Sequence, residues 1–133
     1  MHKILIVDDN FENRQLLAEI LREVAVCDFA ASGKEAIEAY NLSLQKSEPY
    51  SLILLDIELP EVNGLEILNK IRESEQNTGI ALGDGIPIII VTAYEKRFIE
   101  AFEKGCDDYI LKPIDTTILL NKIAGILEKA DDA

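Results

Sequence analysis

Residues 52–64 read LILLDIELPEVNG. Four consecutive apolar residues are too few for a helix, and Asp56 ends them, so Leu52–Leu55 is expected to be a strand buried on both faces. Asn63-Gly64-Leu65-Glu66 then opens a helix whose Leu68 and Ile71 face inward. The same succession recurs on both sides. Upstream, Lys3–Val7 (KILIV) stops at Asp8-Asp9, and Asn10 caps a helix with Leu17, Ile20, Leu21 and Val24 on one face. Val24–Phe29 is a weaker second strand, and Ser32-Gly33-Lys34-Glu35 forms a capping box ahead of Ile37, Tyr40 and Leu44.

Downstream, Ser74–Gly85 (SEQNTGIALGDG) is polar, carries three glycines and reads as a long, mobile loop. Ile86–Val91 is the fourth strand, with Pro87 tolerable near its start. Tyr94, Phe98, Ala101 and Phe102 mark a short helix stopped by Gly105. Asp108–Leu111 is the fifth strand, and Asp115 caps a last helix with Leu119, Ile123, Ile126 and Leu127 inward. Residues 130–133 are expected to form a frayed tail. Five strand–helix units, whose strands are largely continuous apolar runs, predict an α/β fold with a doubly wound parallel sheet.

The chain has 133 residues, so one domain spanning 1–133 is expected. Thirteen Lys and Arg against 25 Asp and Glu leave a net charge of −12, which repels phosphate backbones and anionic membranes and argues against direct nucleic-acid binding. Two cysteines, Cys27 and Cys106, are too few for a disulfide framework and make no zinc site. No signal peptide or membrane-length apolar run is present. A cytoplasmic location is expected.

In open parallel sheets the working residues lie at the carboxyl ends of the strands. Here those ends carry Asp8-Asp9, Asp56, Thr92 and Lys112-Pro113. Two like charges about 4 Å apart repel by roughly 4 kcal/mol at an effective dielectric near 20, so gathered acids need a cation. Oxygen-only donors at an open site favour Mg²⁺. A metal and a lysine beside a carboxylate suit phosphoryl transfer, in which the carboxylate attacks phosphorus to form an acyl phosphate. Taken singly, each residue has a plainer explanation as a helix cap, a turn or a hydroxyl bonded to backbone. Their joint placement on the correct strand ends is what carries the chemistry. His2, the one histidine, is a poor ligand candidate in the N-terminal segment. Tyr40, Phe98 and Phe102 have helical spacing and are expected in the core.

The segments ILIVDDN, LILLDIELPEVNG, IIIVTA and DDYILKPI together resemble the receiver domain of response regulators, the phospho-accepting module of two-component signalling. The likeness covers essentially the full length. It implies a flavodoxin-like (βα)5 fold with strand order 2-1-3-4-5, and a signalling module rather than a turnover enzyme. By that resemblance Asp56 is the phospho-acceptor. Asp8, Asp9, Asp56 and the main-chain carbonyl of Glu58 hold Mg²⁺, and Lys112, whose bond to Pro113 is typically cis, pairs with the acceptor carboxylate or its phosphate. Thr92 and Tyr109 form the switch, which alters a surface of helix 4, strand 5 and helix 5. The implied partners are a histidine kinase or histidine phosphotransfer protein on one side. On the other stands a downstream protein effector or a covalently linked output domain, with a homodimer left open. Two other classes fit less well. A phosphatase of the haloacid-dehalogenase type needs an Asp-x-Asp nucleophile on strand 1, where this chain has Asp8-Asp9-Asn10. A flavodoxin-like cofactor binder needs a glycine- or hydroxyl-rich cradle that the first turn lacks.

Overall fold

A computed structural model describes residues 2–132. The order of elements is β1 (His2–Val7), α1 (Phe11–Leu21), β2 (Ala25–Ala30), α2 (Gly33–Gln45), β3 (Leu52–Leu55), α3 (Gly64–Asn77), β4 (Ile88–Thr92), a 3₁₀ turn (Glu95–Arg97), α4 (Phe98–Glu103), β5 (Asp108–Leu111) and α5 (Thr116–Asp132). All strand pairings are parallel, in the order β2-β1-β3-β4-β5. The expected flavodoxin-like (βα)5 architecture is therefore the one formed.

Because side chains alternate along a strand, each central strand feeds two cores. Leu5, Val7, Ile53, Leu55 and Ile90 pack against Tyr40 of α2 and Leu65, Leu68 and Ile71 of α3. Ile4, Ile6, Leu54, Ile89 and Val91 pack against Leu17 and Leu21 of α1 and Leu119, Ile123 and Leu127 of α5. This two-faced burial is why β1, β3 and β4 read as unbroken apolar runs.

The caps follow the sequence. The Asn10 side chain accepts the Asn13 N–H, that of Asn63 accepts the Leu65 and Glu66 N–H groups, and Asp115 accepts that of Ile118. Ser32 accepts the Glu35 N–H, but Glu35 reaches back to the N–H of Ala31 at 2.7 Å, one residue earlier than in a standard capping box. Gly105, at φ +102°, ends α4 as expected.

Four readings need correction. The segment 74–85 is neither wholly loop nor untethered. Helix α3 runs on to Asn77, and buried Glu75 accepts from Arg72 Nη1 at 2.7 Å and from the Ile86 N–H at 2.6 Å. Arg72 also donates to the Gly105 and Ile86 carbonyls and to Asp107, tying the loop to the α4–β5 turn. A Cβ on Gly85 would lie 2.1 Å from a Glu75 oxygen, so a side chain there would push the Glu75 carboxylate away from Arg72 and Ile86. Strand β4 starts at Ile88 because Ile86 spends its N–H on Glu75 and Pro87 has none. Residues 130–132 are helical: Ala130 is a strong helix former, no Gly or Pro stops α5, and Asp131 meets His2 Nε2 at 2.9 Å. Ala133 lies outside the described residues. Finally, Tyr40 is core but Phe98 and Phe102 are nearly half exposed, at 49% and 45%. The α4 helix is only six residues long and seats Ala101, not its aromatics, against the sheet.

Candidate functional site

The site is an extension of the strand ladders. Val7 pairs with Leu55 across β1 and β3, so Asp8 and Asp56 are the next residues on neighbouring strands. Their backbones stay in the ladder, with Asp8 N–H donating to the Ala30 carbonyl and Asp56 N–H to that of Val7. On the other side Thr92 pairs with Leu111, and Lys112 N–H donates to the Thr92 carbonyl at 2.9 Å. Three ladders thus deliver Asp8, Asp56, Thr92 and Lys112 to one edge.

There the side chains meet. Lys112 Nζ lies 2.8 Å from Asp8 Oδ2 and 2.9 Å from Asp56 Oδ2, and both acids are about 95% buried. The remaining oxygens are held by backbone: Asp8 Oδ1 accepts the Asn10 N–H and Asp56 Oδ1 the Glu58 N–H. Burial alone would lower the Lys112 pKa. Hydrogen bonds to Asp56 and Asp8, with their charges, outweigh that cost and hold it above the ordinary lysine value. One ammonium against two carboxylates leaves one negative charge uncompensated, and exposed Asp9 adds a second at the rim. Among the described residues no three His, Cys, Asp or Glu side chains converge as a preformed metal cage. The pocket is a carboxylate pair bridged by an ammonium and open to a further cation.

Gly64 makes this packing possible. A Cβ there would stand 2.0 Å from the Asp56 carbonyl oxygen, so any side chain would displace the backbone of the acid. The Lys112-Pro113 peptide is cis. Glu58 lies on the exposed loop after Asp56.

Thr92 is fully buried, and its hydroxyl accepts the Tyr94 N–H at 3.4 Å. The carbonyl of that same Tyr94 accepts the Tyr109 hydroxyl. Tyr109 pairs with Ile90, two residues before Thr92, so both face the same side of β4 and β5. Tyr109 also stacks edge-on against Phe98, with ring centroids 6.4 Å apart. Around it runs a groove of about 570 Å³ lined by Phe98, Phe102, Tyr109, Leu111, Lys96 and Asp108. One contact had no signal in the sequence: Arg14, in α1, donates from Nη1 to the main-chain carbonyl of Asp8 at 2.8 Å.

The family described as response regulator receiver domain matches residues 4–124. The chain is 38% identical over 127 residues to hybrid signal transduction histidine kinase I of Dictyostelium discoideum, covering 91% of this chain and 7% of that protein. It is 37% identical over 131 residues to the transcriptional regulatory protein SrrA of Staphylococcus aureus, covering 96% of this chain and 48% of that one. The chain thus spans about half or less of the length of these curated relatives. Among solved structures, the response regulator TrrA of Thermotoga maritima in complex with Mg²⁺-BeF superposes with a TM-score of 0.77 at 31% identity, covering 95% of this chain and 99% of that one.

Proposed function

The chain belongs to the response regulator receiver domain family, the signalling module of two-component systems, and on that premise we propose that Asp56 is its phospho-acceptor. The observation that carries this reading is the Lys112 ammonium shared between two buried carboxylates at the carboxyl edge of the sheet. An Asp56 oxygen attacks the phosphorus of a partner's phosphohistidine. The P–N bond breaks as the O–P bond forms, and the imidazole leaves with the electron pair and takes up a proton. Lys112 is already beside the acceptor and moves its hydrogen bond to a phosphoryl oxygen. The module stores the phosphoryl group as a signal rather than turning over a substrate.

The pocket fits Mg²⁺ through its donor chemistry. Its candidate ligand atoms are all oxygens, each carboxylate oxygen keeps a spare lone pair, and the negative charge left over beside the Lys112 ammonium is uncompensated. Asp8, Asp9, Asp56 and the Glu58 main-chain carbonyl would hold the ion, which prefers one or two carboxylates, waters and phosphate oxygens. When bound it neutralises the non-bridging phosphoryl oxygens. The relative solved with Mg²⁺-BeF supports this choice.

The signal leaves through Thr92, Tyr94 and Tyr109. A phosphate on Asp56 offers the Thr92 hydroxyl a charge-assisted hydrogen bond of about 1.5–3 kcal/mol. Moving that hydroxyl releases the Tyr94 N–H, and with it the carbonyl that anchors the Tyr109 hydroxyl. Tyr109 then turns inward and reshapes the groove on α4, β5 and α5, where an effector, a linked output domain or a second copy docks. The energy shifts a two-state equilibrium by about ten- to a hundredfold. The phosphodonor is a histidine kinase or histidine phosphotransfer protein, which approaches over Asn10, Asn13 and Pro113. Among the described residues no helix is long and apolar enough to cross a membrane.

Incubation with acetyl phosphate and Mg²⁺, read by intact-protein mass spectrometry, tests the acceptor. One phosphate should add to the parent, none to Asp56→Asn, and none with a chelator. A full adduct on Asp56→Asn overturns the assignment. Amide shifts with beryllofluoride should move in α4 and β5 as well as in the pocket. Changes confined to the pocket loops rule out the switch.

A further inference from the structure

Resting on the reading of this pocket as a cation-dependent phospho-acceptor, we propose that Arg14 is a positioning residue for the cation: it clamps the Asp8–Asp9 peptide and so aims the Asp9 carboxylate. Every polar atom of Asp8 is engaged. Its N–H goes to Ala30, Oδ1 to the Asn10 N–H, Oδ2 to Lys112 and its carbonyl to Arg14. Asp9 is the opposite case. It is exposed, and among the described residues its carboxylate takes part in no hydrogen bond or ion pair. The carboxylate therefore starts from a Cα–Cβ bond that only the backbone places, and the carbonyl of the peptide before it is the one held by Arg14 at 2.8 Å.

The clamp is itself braced. Arg14 N–H donates to the Asn10 carbonyl, so the Asn10 cap that starts α1 fixes where the guanidinium originates. The guanidinium carbon lies 5.7 Å from the centroid of the Phe11 ring. Phe11 is 63% exposed and belongs to neither core, and this contact gives the exposed ring a task. A planar guanidinium steadied on a ring face orients its donors better than a flexible ammonium would.

Charge alone predicts the opposite of positioning. A cation beside an Mg²⁺ pocket repels the ion, so removing Arg14 should tighten binding if charge were its whole effect. If Arg14 positions Asp9, removing it should weaken binding. Partners of metal ligands that orient them change affinity by about tenfold when lost. The test is an Mg²⁺ titration of the full chain without phosphodonor, followed at the Asp9, Asn10 and Glu58 amides. Arg14→Met should bind Mg²⁺ about tenfold more weakly, Arg14→Lys within about threefold of the parent, and Phe11→Ala between them. Should Arg14→Met unfold, Arg14→Ala removes the donor in its place and should still bind more weakly than Arg14→Lys. Binding by Arg14→Met, or Arg14→Ala in its place, as tight as or tighter than the parent's overturns the proposal. A parent whose pocket amides ignore Mg²⁺ instead overturns the cation reading beneath it.

Discussion

Replacing Lys112 with methionine removes the only ammonium that faces Asp8 and Asp56 among the described residues. Both acids are about 95% buried and stand 2.8 and 2.9 Å from Nζ. Removing one partner of a buried pair costs about 3–5 kcal/mol because the remaining charges are left uncompensated. A folded domain of 133 residues has a stability of about 7–20 kcal/mol, so the variant should remain folded. With a urea m-value of about 1–3 kcal/mol/M, its midpoint should fall by at least about 1 M in metal-free buffer. Mg²⁺ should return part of the deficit, about 2.7 kcal/mol at a hundred times its Kd. The pH dependence has a definite sign. The Lys112 pKa is raised in the folded state, so its contribution is complete below the unfolded value of 10.5 and is lost as pH rises through the higher folded value. The gap between parent and Lys112→Met should therefore hold between pH 7 and about 10 and narrow as pH rises above 10.5. A metal-free deficit under about 1 kcal/mol, or a gap that widens as pH rises above 10.5, refutes the reasoning.

Arg72→Met should cost about 3–5 kcal/mol by stranding buried Glu75, and should speed amide exchange at Ile86 and Ile88; unchanged exchange there would show that the clamp does not hold the loop. Burial, then the charges of Asp107 and Asp108, push the Cys106 thiol up to about 12, so about one molecule in ten thousand carries the thiolate at pH 8. Peptide mapping after brief alkylation should find half-buried Cys27 modified first and Cys106 only in urea; equal native rates count against this. Glu58 stands two residues past the acceptor and Tyr94 two past Thr92, where their charge and bulk would hinder attacking water, so Glu58→Asn and Tyr94→Ala should each hasten loss of phosphate from Asp56. If neither release rate rises, these side chains do not shield the phosphate.

The fold was legible because it rests on short-range signals. The apolar runs at 4–7, 52–55 and 88–91 report burial on two faces, and Asn10, Ser32, Asn63 and Asp115 mark helix starts through side chains bonding to backbone nearby. The site was legible for a related reason. A parallel sheet places all its strand ends on one edge, so the residues after the runs had to converge in some form. Which of them touch depended on strand order and register. That Lys112 bridges Asp8 and Asp56 while Asp9 stays outside follows from the ladders that extend Val7↔Leu55 and Thr92↔Leu111.

Other features come from contacts between residues far apart in the chain, and local patterns cannot report them. Glu75 looked like a loop acid because its burial depends on Arg72, Ile86 and the turn at Gly105–Asp107. Phe98 and Phe102 have the spacing of core residues, but a six-residue helix can seat only one side on the sheet. Arg14 looked like any charge on a helix surface until the chain reversal after β1 brought it to the Asp8 carbonyl. By itself the sequence determined which residues are strands, caps and edge acids, because those depend on neighbours within a few positions. Only the tertiary structure decided which charges are paired, which aromatics are exposed and which arginine holds the pocket, because burial and pairing are set by what the rest of the chain places around each side chain.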